Sequence, residues 1–369
     1  MAADLGLAGM WWTCAVLQTV LLGYGLAGEY FHGPLLAATE GVEVVGVLTT
    51  NPERQERAKR NFPDAVIHTD LATALDSGAD LAVVAGANIT HVPQAQTALA
   101  AGMHVVVDKP LAPTADSVRE LAAQAVAADR HIIAFQNRRW DSDFLTVQRV
   151  RDSGAIGDIH RFESRFGKWV PTPKRLWRDS TAPENMGGNL YDLGAHVVDQ
   201  ALVLFGPITS VTAHARPVRA TDIADDDVVI VAQHANGIVS YLVGTTAAAY
   251  TLPRFLALGT RGSARIDLTD TQEAYLCNGG SANDPAFGLE EHGVHLRTKG
   301  SDYIEFTEPL ERGEWRMFYT KVRDAARGDA PSPVPIEDTI LAATVIDAAR
   351  ESAATGRSVA ISATPTSSS

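Results

Sequence analysis

At 369 residues the chain is too long for one ordinary core, so two domains are expected. A hydrophobic share of 46% against 20% charged residues permits a large core and excludes wholesale disorder. The formal net charge of −13 excludes a surface that tracks nucleic acid. The two cysteines, Cys14 and Cys277, have no metal or redox spacing, which implies a reducing, cytoplasmic setting and no metal site.

The stretch Leu5–Gly28 carries no charged side chain, yet it lacks the basic start of a secretory signal and is interrupted by five glycines. It is read as a leader over residues 1–18 followed by a buried strand at Thr19–Leu22, with no membrane association. Short runs rich in Val, Ile or Leu follow at Val42–Leu48, Ala65–His68, Leu81–Ala85, His104–Val107 and His131–Phe135. Helical stretches alternate with them at Glu29–Ala38, Pro52–Asn61, Leu71–Asp76, Val92–Ala101 and Thr114–Ala128. That rhythm predicts a parallel sheet with crossover helices, a dinucleotide-binding domain over residues 19–137.

Beyond Asn137 the pattern changes. A helix is expected at Asp143–Ser153, a strand at Ile159–Phe166 and one continuous helix from Asn189 to Phe205. Strands without intervening helices follow at Val211–Arg216, Val228–His234, Ile238–Gly244, Phe255–Leu258 and Ala264–Leu268. Helices return at Glu314–Arg327 and Ile336–Thr355. The fold class is therefore α/β: a first domain with a doubly wound parallel sheet, then an α+β domain over residues 138–361 with a mixed or antiparallel sheet, and a disordered tail over 362–369.

Gly23-Tyr24-Gly25-Leu26-Ala27-Gly28 matches GxGxxG between a strand and a helix. The first glycine permits a tight turn, the second lets the backbone approach a diphosphate, and the third allows close helix–strand packing. The plain alternative is a glycine-rich structural turn. The second strand ends in Leu48-Thr49-Thr50-Asn51, without a carboxylate for a ribose 2′-OH, and Arg54 lies one turn on. That favours NADP over NAD, although Arg54 also fits as a solvated helix charge. Lys109 stands just past the apolar strand Val105-Val106-Val107, where open parallel sheets bind ligands, and Pro110 restricts its backbone. Asp192 and His196, four apart, share one face if the helix is continuous. His196 is a natural proton acceptor, Asp192 can orient it or the substrate, and Gly194 between them would leave room for a ligand. An amphipathic helix with a core histidine reads the same way.

Taken together, these motifs resemble the glucose–fructose oxidoreductase/inositol dehydrogenase (Gfo/Idh/MocA) family. Asp108-Lys109-Pro110 is similar to its Glu-Lys-Pro motif, and Asp192-Leu193-Gly194-Ala195-His196 to its second motif. Gln136 to Phe144, Leu176-Trp177-Arg178, and Asp270 to Gly288 resemble the branch containing NADP-dependent scyllo-inositol dehydrogenases. The resemblance implies a Rossmann domain, a large open sheet in the second domain, and homodimers or homotetramers packed through that sheet. It implies hydride transfer between nicotinamide and a sugar or cyclitol, with catalytic Lys109, Asp192 and His196. Reduction of another carbonyl or an imine would use the same residues, and a non-catalytic NAD(P) sensor would not need them. Cofactor contacts are expected at Gly23, Gly25, Leu26, Gly28, Thr49, Thr50, Arg54, Asn88, His91, Lys109 and Pro110. Substrate contacts are expected at Asn137, Arg138, Trp140, Trp177, Arg178, Asp192 and His196. Two departures from the family stand out: Asp108 replaces Glu, and Ala85-Gly86-Ala87-Asn88 replaces Ala-Thr-Pro-Asn.

Overall fold

The structure, a computed structural model, describes residues 16–174, 177–250, 252–299 and 302–362. The readings made for Cys14, Leu176, most of the leader and nearly all of the tail fall outside the described residues.

Six strands form the first sheet: β1 (Leu17–Leu22), β2 (Val42–Leu48), β3 (Val66–His68), β4 (Leu81–Val84), β5 (His104–Val107) and β6 (Ile132–Ala134). They are all parallel, in the order β3-β2-β1-β4-β5-β6. Crossover helices cover both faces, so β4 is buried at every residue and reads as an unbroken apolar run. The strand order reverses between β1 and β4, and open α/β sheets bind ligands at such a point.

Nine strands form the second sheet: β7 (Ile159–Gly167), β8 (Ile208–Arg216), β9 (Asp227–His234), β10 (Val239–Thr245), β11 (Phe255–Gly259), β12 (Gly262–Ile266), β13 (Gly293–Lys299), β14 (Tyr303–Pro309) and β15 (Val359–Ala360). Only β7 and β10 pair in parallel; every other neighbouring pair is antiparallel. Burial alternates along β9, where Val228, Ile230, Ala232 and His234 point inward. The helices Gly194–Phe205 and Ile336–Thr355 cover that inner face. The second of these also ties the domains together: Asp347 accepts from the Ala115 amide (2.8 Å), and the Ala213 amide donates to Ser352 Oγ (2.9 Å). The helix Arg316–Ala326 returns to the first domain, burying Phe318, Tyr319 and Val322 in its core.

Several elements differ from the sequence expectation. The helix expected at Glu29–Ala38 is split into a π-wound turn, Gly28–His32, and an α-helix, Gly33–Ala37. The Gly33 amide donates five residues back to Gly28 O, and a Cβ at Gly33 would lie 2.9 Å from that oxygen. The strand expected at Ala264–Leu268 lies at Gly262–Ile266, two residues earlier. Strands β13, β14 and β15 and the helix Gln272–Cys277 were not anticipated, although Val294 and Leu296 do alternate with polar neighbours. No described helix is long and apolar enough to cross a membrane.

Candidate active site

A cleft of about 1080 Å³ runs between the C-terminal edge of the first sheet and the loops of the second domain. Its first wall is the turn after β1. Gly23 has φ +114°, and a Cβ there would lie 2.7 Å from Gly86 N. A Cβ on Gly28 would sit 2.1 Å from Gly23 O, so both positions require glycine. At Gly25 the Cβ position meets only Arg54 Nη1, 3.8 Å away, leaving the backbone open toward the cleft. This turn, with Leu26, Thr49, Thr50 and Arg54 along the same wall, fits a dinucleotide: the backbone is open where a diphosphate must approach, and no strand-end carboxylate opposes a phosphate. The Ala85–Asn88 loop closes the wall, held by Asn88 Nδ2 to Met186 O (3.2 Å) and Thr90 Oγ1 to Ala87 O (2.7 Å).

Lys109 leaves the end of β5 through a cis Lys109–Pro110 peptide. Its Nζ donates to Asp192 Oδ1 (2.5 Å) and to the Asp192 carbonyl (2.8 Å). That carbonyl is free because the predicted continuous helix breaks at Leu193 into Asn189–Asp192 and Gly194–Phe205, and the His196 amide donates to Leu193 O instead (3.1 Å). The short helix is pinned at its start: Leu190 N donates to Asp225 Oδ2 (2.7 Å), and Asn189 Nδ2 to Asp226 O (2.7 Å). Partial burial would raise the Asp192 carboxyl, but Lys109, Arg178 and Lys168 outweigh it and hold it down at about 2.

His196 lies behind Asp192, buried against Phe166, with no hydrogen bond to Asp192; its Nδ1 is enclosed and without a partner. Burial, followed by Lys109, Arg138, Arg254 and Lys168, holds its imidazole well below the usual range, so it is neutral near pH 7. Gly194 does not open space for a ligand, as a Cβ there would face Leu190 (3.3 Å) and Ile346 (3.4 Å). It is a packing glycine between helices.

The other expected contacts divide. Asn88, Trp177 and Arg178 line the cleft. His91 does not: it is buried and holds Pro110 O at 2.9 Å, bracing the turn that presents Lys109. Pro110 lines a separate small apolar cavity behind that turn. Asn137, Arg138, Trp140 and His196 are also absent from the lining. Arg138 pairs with Asp141 (3.3 Å) and Glu273 and lies over Phe166, while Trp140 packs edge-on against Phe318. Beside them the buried Arg254 bonds Ser164 Oγ and Gln200 Oε1, each at 2.7 Å, and pairs with Asp143 (3.2 Å). This polar layer supports the site from behind, where its cations need partners. Lys168, Lys174, Asp179, Arg219 and Asp225 line the cleft and escaped sequence reasoning. Only Lys168 carried a local signal, a cation just past a strand end, as at Lys109.

A dinucleotide cradle at the sheet's switch point, facing a lysine–carboxylate pair, defines a nicotinamide-dependent oxidoreductase. The chain belongs to the Gfo/Idh/MocA family: the oxidoreductase family with an NAD-binding Rossmann fold matches residues 17–135, and the GFO/IDH/MocA C-terminal domain matches residues 144–265. It is 35% identical to the uncharacterized oxidoreductase YdgJ of Escherichia coli, over 91% of this chain and 96% of that protein. It is 31% identical to scyllo-inositol 2-dehydrogenase (NADP(+)) IolW of Bacillus subtilis, over 93% of this chain and 95% of that one. A solved structure from Yersinia pestis, described as an oxidoreductase, superposes with a TM-score of 0.88 at 32% identity, covering 94% and 98% of the two chains. The protein is an NAD(P)-dependent dehydrogenase.

Proposed function

We propose that this dehydrogenase oxidises a secondary alcohol of a sugar or cyclitol, or runs the reverse reduction, with NADP(H) preferred. The observation that carries the reading is the Lys109–Asp192 pair facing the dinucleotide cradle, with neutral His196 behind it. The bound nicotinamide supplies the hydride acceptor. His196 takes the hydroxyl proton at Nε2, because its Nδ1 is enclosed by the chain. Lys109 Nζ hydrogen-bonds the same substrate oxygen and stabilises the charge that develops there. Asp192 holds the ammonium in place through both its carboxylate and its carbonyl. The similarity to an NADP-dependent scyllo-inositol dehydrogenase supports a polyol substrate. Purified protein tested with NADP⁺ against a panel of neutral and anionic sugars and cyclitols, followed by NADPH absorbance, checks this; no turnover of any of them would sink it.

The cofactor preference has its own test. Thr50 is exposed at the end of β2, and Arg54 stands over Gly25. Thr50→Asp should move the kcat/KM ratio toward NAD by about fivefold or more, since unit charges ~4 Å apart repel by about 1 kcal/mol even in water. A wild type that favours NAD would refute the preference.

We also propose a homodimer or homotetramer formed through the outer face of the nine-stranded sheet. One row of that face runs Val231–Tyr241–Glu163–Leu256, and Tyr241 is 37% exposed there. Light scattering should give an even multiple of the chain mass, and Tyr241→Lys should lower it. A monomeric wild type would overturn the assignment.

A further inference from the structure

The Asp192 carboxylate is surrounded by more positive charge than it can neutralise. Lys109, Arg178 and Lys168 all act on it, and only Lys109 is bonded to it. Lys168 follows β7, its amide fixed by Thr245 O at 2.9 Å. Its Nζ lies 3.7 Å from Glu273, whose other oxygen is already taken by Arg138. Arg178 forms no ion pair among the described residues, and its guanidinium sits 5.0 Å from the Trp177 ring centroid. The remaining carboxylates of this wall are occupied. Asp179 faces Arg219 (3.4 Å), and Asp225 accepts backbone amides. Six cationic and four acidic side chains line the cleft of a chain whose net charge is −13. Arg54 stands on the cofactor wall, whereas Lys168 and Arg178 stand on the opposite one, beside the Lys109–Asp192 pair. The oxidised nicotinamide would add a further positive charge at this end of the cleft.

We propose that the substrate carries an anionic group, a carboxylate or a phosphate, held by Lys168 and Arg178 while a neighbouring carbinol faces Lys109. The inference rests on the dehydrogenase reading above and narrows its substrate class from neutral polyols to charged sugars or cyclitols. Cations on a low-dielectric cleft wall concentrate anions locally even on an acidic protein. A guanidinium offers paired donors to carboxylate or phosphate oxygens, and an ammonium offers a point charge.

The test compares D-glucose, scyllo-inositol, D-glucuronate and D-glucose 6-phosphate with saturating NADP⁺. Glucuronate or the phosphate should exceed D-glucose in kcat/KM by about tenfold to a hundredfold, the scale of a hydrogen bond to a charged group. Rising NaCl should erode that advantage and leave the neutral rates nearly flat. Lys168→Met and Arg178→Gln should collapse the charged-to-neutral ratio, with the Kd for NADPH, titrated by its fluorescence, unchanged. The glucuronate and phosphate arms separate the two kinds of anion. The wild-type charge and salt comparisons stand even if a variant fails to fold. Neutral polyols turned over as well as charged ones would overturn the inference and leave the dehydrogenase reading intact. NADPH binding weakened in step with activity would overturn it by assigning the cations to the cofactor. With no turnover at all the sugar dehydrogenase reading falls. Quenching of Trp177 in NADPH-loaded protein by glucuronate or the phosphate, and not by D-glucose, then decides the anion site alone: its absence overturns the inference too.

Discussion

Replacing His196 with alanine is expected to cut turnover of an alcohol substrate by about 10² or more, the usual scale for a positioned general base. Affinity for NADP(H) should barely change, because His196 lies outside the cradle lining. The pH profile offers a second readout. Oxidation needs the neutral imidazole, and burial together with Lys109, Arg138, Arg254 and Lys168 keeps His196 neutral to well below its ordinary pKa. The acid limb of kcat/KM for alcohol oxidation should therefore lie well under pH 6.5 and disappear from the residual rate of the variant. A variant with near-normal turnover while chemistry is rate-limiting would remove His196 from the mechanism.

Lys109→Met is expected to cost about 2–4 kcal/mol of transition-state stabilisation, the scale for losing one preorganised donor to a developing oxyanion. The loss should fall on kcat rather than on NADPH affinity, since the bond to the reacting oxygen strengthens as charge builds there. Two electrostatic signs should accompany it. Asp192 loses its bonded cation, so its pKa should rise from about 2, and His196 loses one of the charges depressing it, so the acid limb should move upward. Lys109→Arg should not rescue fully, because a planar guanidinium cannot reproduce a compact ammonium that contacts both the carboxylate and the carbonyl of Asp192. Weakened NADPH binding with an unchanged single-turnover rate would refute the role.

The chemistry of the first wall could be read residue by residue because each signal is local. A positive φ at Gly23, the clash a Cβ at Gly28 would make with Gly23 O, and the apolar run that lifts Lys109 to the sheet edge all involve residues a few positions apart. The parallel sheet was legible for the same reason, in the regular alternation of short apolar runs with helical stretches. The second domain was harder. β13 and β14 pair antiparallel at the sheet's edge, where most of β14 is exposed and its apolar alternation is weak. The continuous helix expected over Asn189–Phe205 is interrupted at Leu193, and the Asp192 carbonyl freed there bonds Lys109, more than eighty residues earlier in the chain, a contact that no local pattern announces.

Composition, motif order and strand periodicity were enough to read a Rossmann sheet followed by a mainly antiparallel one, and the family resemblance pointed to Lys109, Asp192 and His196. Which charges meet across the cleft followed from packing alone. Arg138 and Trp140 look like pocket residues in sequence, yet Glu273, Phe166 and Phe318 draw them into the supporting layer. Lys168, Arg178 and Asp225 come from three separate segments of the second domain and meet along the cleft only in the folded chain. Local propensity extends over a few residues, whereas the field at Asp192 is a sum over side chains up to about eighty positions apart in the chain.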